Sequence, residues 1–151
     1  MSLRDKLVAA RASGDFDGLT AEIPYARFMG FGFRADGDRM IGTMRYAPHI
    51  VGNFSLPALH GGSVDALLEW TSILQVLWQA ETVLLPKTIT ITVDFLRPAR
   101  PIDTFARATV TREGRRVVNV RAEAWQDDPA RPVALASALF LVKQEPPEAT
   151  P

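Results

Sequence analysis

The sequence contains no cysteine among its 151 residues. Disulfide bonds, thiolate nucleophiles and thiolate-bound zinc are therefore excluded, and the composition is typical of a reducing compartment. Charge of either sign is not in excess, because 17 Lys and Arg balance 17 Asp and Glu. Since general nucleic-acid-binding proteins are usually distinctly basic, we expect no nucleic-acid partner.

Long apolar runs and several enzyme motifs are absent as well. No stretch is long enough to span a bilayer, and the first residues lack the apolar centre of a signal peptide, so we expect a soluble cytoplasmic protein without a membrane partner. Gly-x-Ser-x-Gly, Walker A and Gly-x-Gly-x-x-Gly motifs do not occur. The two histidines are not at metal-ligand spacing, and we expect no metal and no separate cofactor.

The apolar content of 47% and the length of the chain suit a single domain spanning 1–151. Residues 1–20 are expected to form an N-terminal helical extension, because the apolar spacing within 2–12 is helical. Asp36-Gly37-Asp38 lies between two apolar runs and predicts a hairpin. The strands of that hairpin are 28–35 and 39–46, and loops or a flexible tail are expected at 20–27, 47–59 and 144–151.

The second half of the sequence predicts one long helix followed by four strands. Residues 61–80 are apolar around most of the helix, which indicates that a curved sheet wraps it. In 88–96 the alternation places one face of a strand at Ile89, Ile91, Val93 and Phe95. Further strands are expected at 104–112, 116–125 and 132–142. The element order gives an α+β domain in which an antiparallel sheet surrounds the helix.

The start of that helix, in the stretch PALHGGSVDALLEW (57–70), is the most informative part of the sequence. Gly61 and Gly62 lie where backbone amides lack helical partners, so they either stabilise a developing oxyanion or make a tight turn into the core. Glu69 lies two turns further along, where a carboxylate could activate water or attack directly. Asp65 is interpreted as part of a solvated polar stripe.

Three segments resemble the hotdog-fold acyl-CoA thioesterases, and most closely their phenylacetate-type (PaaI-like) branch. LHGGSVDALLE (59–69) is similar to the His-Gly-Gly helix start of that family, with an acid nine residues after the histidine. TITITVDFLRPAR (88–100) resembles its strand after the helix, and VTREGRRVVNVRAEAW (110–125) its hairpin. The resemblance implies a hotdog fold of five to six strands around one helix, and hydrolysis of an acyl-CoA.

The resemblance also implies roles for individual residues. Glu69 takes the position of the catalytic acid, the amides of Gly61 or Gly62 polarise the thioester, and Thr88 orients water. The family places an Asn or Gln six residues before the histidine, a position that Phe54 occupies here, with Asn53 one residue earlier. His60 either shapes the turn or lines the substrate. The other substrate-binding candidates are Phe54 and Trp70 around the acyl group and Arg97, Arg100 and Arg115 around the CoA phosphates.

The spacing of Gly61 and Glu69 predicts that two chains build each site. Eight residues of helix span roughly 12 Å, too far for one carbonyl to meet both groups of the same chain. We therefore expect an obligate homodimer with two symmetric interface sites. The resemblance implies the same arrangement, often with two dimers forming a homotetramer.

Two other functions remain open on the same fold. An acyl-thioester dehydratase or hydratase needs a catalytic histidine paired with an acid, and the spacing of His60 and Glu69 differs from the dehydratase pattern. A non-catalytic acyl-CoA-binding module would be favoured if Glu69 pointed away from the interface.

Overall fold

The computed structural model describes residues 1–79 and 84–142. The expected tail at 144–151 lies outside these residues, as does the last residue of the helix predicted for 61–80. In chain order the elements are α1 (Leu3–Ser13), α2 (Asp17–Thr20), α3 (Pro24–Met29), β1 (Phe31–Asp36), β2 (Arg39–Met44), a 3₁₀ helix (Pro48–Ile50), β3 (Val51–Asn53), β4 (Ala58–Leu59), α4 (Gly61–Gln79), β5 (Lys87–Phe95), β6 (Thr104–Glu113), β7 (Val117–Trp125) and β8 (Ala134–Leu141).

Six strands form one antiparallel sheet in the order β1-β2-β6-β7-β8-β5, and α4 packs against its inner face. This arrangement confirms the predicted α+β hotdog fold. The inner face of three central strands is rich in alanine, whose small side chain leaves room for the helix. The buried alanines are Ala106, Ala108, Ala122, Ala124, Ala134, Ala136 and Ala138.

The helix α4 supplies the large side chains of the core. Leu67, Leu68 and Leu74 are completely buried, and each such burial contributes about 1.5–3 kcal/mol. The helix also approaches β2 closely, because a Cβ on Gly42 would lie 2.2 Å from the Thr71 hydroxyl oxygen. The position of α4, and hence of the residues it carries, is fixed by contacts along its whole length.

The prediction of a loop at 20–27 is wrong, and so is the prediction that the first strand starts at residue 28. Residues 24–29 form helix α3 instead, with Pro24 in its first turn and Gly30 ending it at a φ of 69°. Proline suits the first turn of a helix because its missing N–H would have no helical partner there. The strand β1 therefore begins only at Phe31.

The segment 47–59 is more ordered than the predicted irregular loop. It contains the 3₁₀ helix and the two short strands β3 and β4, which pair with each other. Two backbone hydrogen bonds fix its end: Leu59 N donates to Ala99 O, outside the segment, at 2.8 Å, and His60 N donates to Ile50 O, within the segment, at 2.8 Å. The backbone immediately before α4 is therefore fixed in position.

In the part of the chain that the structure describes, no helix combines the length and apolar character needed to cross a membrane. The cytoplasmic location stays a prediction.

Candidate active site

The helix α4 begins at Gly61, and the preceding His60 caps it. The Gly62 amide donates to Nδ1 of His60 at 2.9 Å, while the Ser63 amide and hydroxyl donate to the His60 carbonyl at 2.9 and 2.6 Å. Because Nδ1 accepts a hydrogen bond, a neutral His60 carries its proton on Nε2. His60 thus shapes the helix start, and the Gly62 amide is already engaged.

The Gly61 amide has no hydrogen-bond partner among residues 1–79 and 84–142. It lies at the positive end of the helix dipole, where a developing negative charge is stabilised. The Gly61 backbone also packs against a ring, since a Cβ there would lie 3.1 Å from Cζ of Phe95. Of the two glycines, Gly61 therefore offers the available donor.

A pocket of about 420 Å³ opens beside Gly61. Its walls come from the start of α4, the end of β5 and the start of β8, and most of them are apolar. Arg97 contributes the charged side chain of this lining. The full lining is Leu59, Gly61, Val64, Phe95, Leu96, Arg97, Pro98, Ala99, Val133 and Ala134.

Two turns further along α4, the carboxylate of Glu69 is half-buried and held by β5. The Thr88 hydroxyl donates to Oε1 of Glu69 at 2.6 Å. The second carboxylate oxygen, Oε2, has no hydrogen-bond partner among the described residues. Two residues predicted for the site therefore contact each other, and one oxygen of the acid is left for chemistry.

This contact depends on an irregularity in β5. Thr88 pairs with Phe140 and Thr90 pairs with Leu139, so Ile89 is an extra residue, a β-bulge. Phe140 is fully buried, which places its partner Thr88 on the inner face, whereas Ile89 is 53% exposed. The prediction that Ile89 shares the face of Ile91 and Val93 is wrong, because strict alternation fails at the bulge.

Asp65 lies one turn from Gly61 and one turn from Glu69, and it differs from the solvated residue that the sequence predicted. Its Oδ1 atom is buried and has no hydrogen-bond partner. Burial, and then the negative charge of Glu69, raise the pKa of the Asp65 carboxyl above its usual 3.8. The interpretation as part of a fully solvated stripe is therefore wrong for this residue.

Three other residues predicted for the site are Asn53, Phe54 and Trp70. The side-chain oxygen of Asn53 accepts hydrogen bonds from the amides of Ser55 and Leu56 at 3.0 and 3.2 Å. It therefore stabilises the turn within its own loop. Phe54 is 92% exposed and Trp70 is half-buried against the core, so in the single chain they do not line one common slot.

The predicted CoA-binding arginines lie at two opposite ends of the sheet. Arg97 and Arg100 follow the end of β5, and Arg100 pairs with Asp127. Arg115 lies in the turn between β6 and β7. This turn is beside the start of β5, because Lys87 and Val117 both pair with Leu141. Within one chain, the three arginines do not form a single cluster.

One residue of this region was missed by the sequence analysis. A Cβ on Gly52 would lie 2.6 Å from Cα of His60, so β3 can pass the helix start only because residue 52 has no side chain. Its sequence neighbours carry no motif, and the close approach becomes visible only once β3 and α4 are placed together.

Comparisons with known proteins identify the family. A family model described as the acyl-CoA thioesterase N-terminal domain matches residues 52–141, which is more than half of the chain. Among curated protein sequences, none gives a significant match.

Several solved structures are similar over most of their length. A protein from Chromobacterium violaceum is 31% identical, with a TM-score of 0.73, and the match covers 92% of this chain and 97% of that one. A candidate thioesterase from Ralstonia eutropha, named as phenylacetic acid degradation-related, is 26% identical with a TM-score of 0.71, covering 84% and 98%. A thioesterase from Haemophilus influenzae, 23% identical with a TM-score of 0.72 and covering 83% and 86%, supports the fold alone.

The chain belongs to the acyl-CoA thioesterase family. By class it is therefore a thioester hydrolase on the hotdog fold, and the resemblance to the phenylacetate-type thioesterases is confirmed.

Proposed function

We propose that the protein hydrolyses an acyl-CoA to the free acid and CoA at two equivalent sites, each built by two copies of the chain. The observation that carries this proposal is the pairing of Thr88 with Glu69 on a helix whose first amide, at Gly61, has no partner in the described chain. These groups supply a held base and an oxyanion donor.

The separation of these groups supports a site between chains. Gly61 packs against Phe95 at the end of β5, and Glu69 is bonded to Thr88 at its start. The two groups are thus roughly 12 Å apart along the helix, and their contacts on β5 are about 23 Å apart along the strand. One thioester cannot bridge that distance.

An antiparallel pairing of two β5 strands removes this separation. In the described sheet β5 has a neighbouring strand, β8, on one side only, and such an open edge can pair with another chain. Pairing about a two-fold axis near Ile91 and Thr92 brings Thr88 of one chain opposite Phe95 of the other. Glu69 of one chain then faces Gly61 of the second copy, and the open edge of β5 is closed.

The chemistry follows from these positions. Oε2 of Glu69 takes a proton from water while the water oxygen bonds to the thioester carbon, and the carbonyl oxygen gains negative charge beside the Gly61 amide. When this intermediate collapses, the carbon–sulfur bond breaks and the CoA sulfur leaves with the proton. The second route is direct attack by Glu69, followed by hydrolysis of the resulting anhydride. Only that route gives an acyl adduct on rapidly quenched protein, detectable by mass.

The same pairing explains why the predicted CoA-binding arginines lie at opposite ends of the sheet. Arg97 lies beside the Gly61 end of one chain, and Arg115 lies beside the Thr88 end. Antiparallel pairing brings the two ends to one site, so both guanidinium groups can serve the phosphates of a single CoA. The apolar pocket beside Gly61 suits the acyl group, and the substrate's own CoA is the only coenzyme we propose.

The function is tested by an assay of thiol release. The purified protein is given short, medium, long and aromatic acyl-CoAs, among them phenylacetyl-CoA because of the name of the Ralstonia eutropha relative. Glu69→Gln should lower kcat by about 10²- to 10⁴-fold, the usual contribution of a general base. Glu113→Gln, at an exposed carboxylate at the end of β6, is the matched control and should leave kcat unchanged.

Two outcomes would contradict the proposal. Turnover that survives Glu69→Gln would remove the base from the mechanism. Acyl-CoA binding without turnover of any substrate would favour a binding module.

A further inference from the structure

Asp65 occupies a special place in the proposed dimer. Positions 61, 65 and 69 follow each other at one-turn intervals along the same side of α4. The dimer of the proposed function places residue 61 of one antiparallel helix opposite residue 69 of the other. A two-fold axis that relates these pairs must pass beside the midpoint, which is residue 65. Asp65 of one chain therefore lies opposite Asp65 of the second copy.

The surroundings of Asp65 in one chain leave its carboxyl without compensation. Oδ1 is buried and has no hydrogen-bond partner. The part of β5 between the contacts of Gly61 and Glu69 turns Ile91 and Val93 inward, both apolar. A carboxylate with one oxygen buried in such a place is destabilised unless it is protonated or meets a donor.

We propose that the two Asp65 carboxyls meet at the two-fold axis and share a proton, forming an acid pair between the two active sites. One carboxyl is protonated and its hydroxyl donates to the other, which is ionised. This inference rests on the dimer of the proposed function. The acid pair is a contact that forms only when two copies of the chain associate. It therefore helps one copy to recognise the other.

The charged groups around the pair are few. On α4, Glu69 is the nearest, and it adds a further negative charge. On β5, Lys87 and Asp94 are exposed and pair with Leu141 and Leu135, neither of which is one of the buried residues of β8. On the inner face of β8 the buried residues are alanines and Phe140. No cation of the described chain is placed to replace the shared proton.

The acid pair makes association depend on pH in a defined direction. Above the pKa of the separate Asp65 carboxyls, the dimer binds a proton that the two separate carboxylates release, so the associated state holds more protons than the separate chains. In that range association weakens as the pH rises through the titration of the pair. The dissociation constant should rise about tenfold for each unit by which association raises the pKa of the pair.

The first test locates residue 65 relative to the axis. Because the chain has no cysteine, Asp65→Cys carries a single thiol. Helices packed 8–10 Å apart bring facing Cα atoms within the range of a disulfide, so mild oxidation should link two chains. Gln79→Cys, at the exposed end of α4, is the control. Its two thiols would be about 42 Å apart along the axis, and no link should form.

The second test measures the acid pair by sedimentation. The dissociation constant of the wild-type dimer should rise as the pH increases above the pKa of the separate Asp65 carboxyls, and Asp65→Asn should lose this rise because an amide does not titrate. Two results would overturn the acid pair and leave the proposed function intact. One is an Asp65→Cys dimer that forms no disulfide between its chains, and the other is a pH profile of Asp65→Asn identical to that of the wild type. A protein that stays monomeric and active would overturn both.

Discussion

The Thr88 hydroxyl donates a 2.6 Å hydrogen bond to Oε1 of Glu69, across the gap between the edge strand β5 and the central helix. A carboxylate held through one oxygen keeps a fixed direction for the other. The bond depends on the bulge at Ile89, which turns Thr88 towards the helix. A local irregularity of the strand thus positions the acid of the proposed site.

Removal of this hydroxyl should lower activity without unfolding the protein. Thr88→Val keeps the shape of the side chain, but it loses a hydrogen bond to a charged group, worth about 1.5–3 kcal/mol. If that bond is fully used in the transition state, kcat falls by about 10- to 150-fold. Steady-state kinetics on the best acyl-CoA substrate measures the change.

Thr109→Val is the matched control, because Thr109 is an exposed strand threonine that lies on β6 and outside the proposed β5 pairing. Equal losses in both variants would show that the effect does not come from the hydroxyl that holds Glu69. Thr88→Ser retains the donor and should recover most of the activity.

The Gly61 amide can be removed while the helix start is kept. Gly61 is the first residue of α4, a position where proline is favoured. Gly61→Pro lacks the N–H and should lower kcat by about 10²- to 10³-fold, the usual cost of one oxyanion donor.

Gly61→Ala is the control for the added atoms. It introduces the same Cβ next to Phe95 and keeps the N–H. Phe95 is 56% exposed, so its ring can move away. A loss in Gly61→Ala as large as that in Gly61→Pro would assign the effect to crowding and exclude the amide as the donor.

Gly52 is predicted to be a structural requirement of the helix start. A Cβ would lie 2.6 Å from Cα of His60, and backbone must shift to admit it. Gly52→Ala should destabilise the protein by about 1–3 kcal/mol, which is typical of overpacking, and lower its melting temperature.

Gly18→Ala is the corresponding control, since a Cβ on this exposed helical glycine meets no atom within 4 Å. Thermal unfolding should show an unchanged or slightly higher midpoint for Gly18→Ala. A midpoint for Gly52→Ala as high as that of Gly18→Ala would contradict the close approach.

The fold was largely predictable because its elements have strong local signals. The apolar circumference of 61–80 predicted the central helix, and the Asp-Gly pair at 36–37 predicted the first hairpin. Helix α3 was missed because Ile23-Pro24-Tyr25 was interpreted as a loop, although proline also suits the first turn of a helix.

The geometry of the site was less predictable because it depends on contacts between distant segments. The bulge at Ile89 has no signal in an alternating sequence, and the close approach of Gly52 to His60 appears only in three dimensions. Asp65 was interpreted as solvated because the sequence does not show which part of a polar stripe the sheet covers.

The central claim, that each site combines Glu69 of one chain with Gly61 of another, is tested most directly by mixing two inactive variants. Glu69→Gln and Gly61→Pro chains with different affinity tags are refolded together, and dimers carrying both tags are isolated. Each mixed dimer then has one doubly altered site and one intact site. The account predicts that mixed dimers recover about half of the wild-type activity. Mixed dimers as inactive as their parents would contradict it, because a site within one chain is damaged in both.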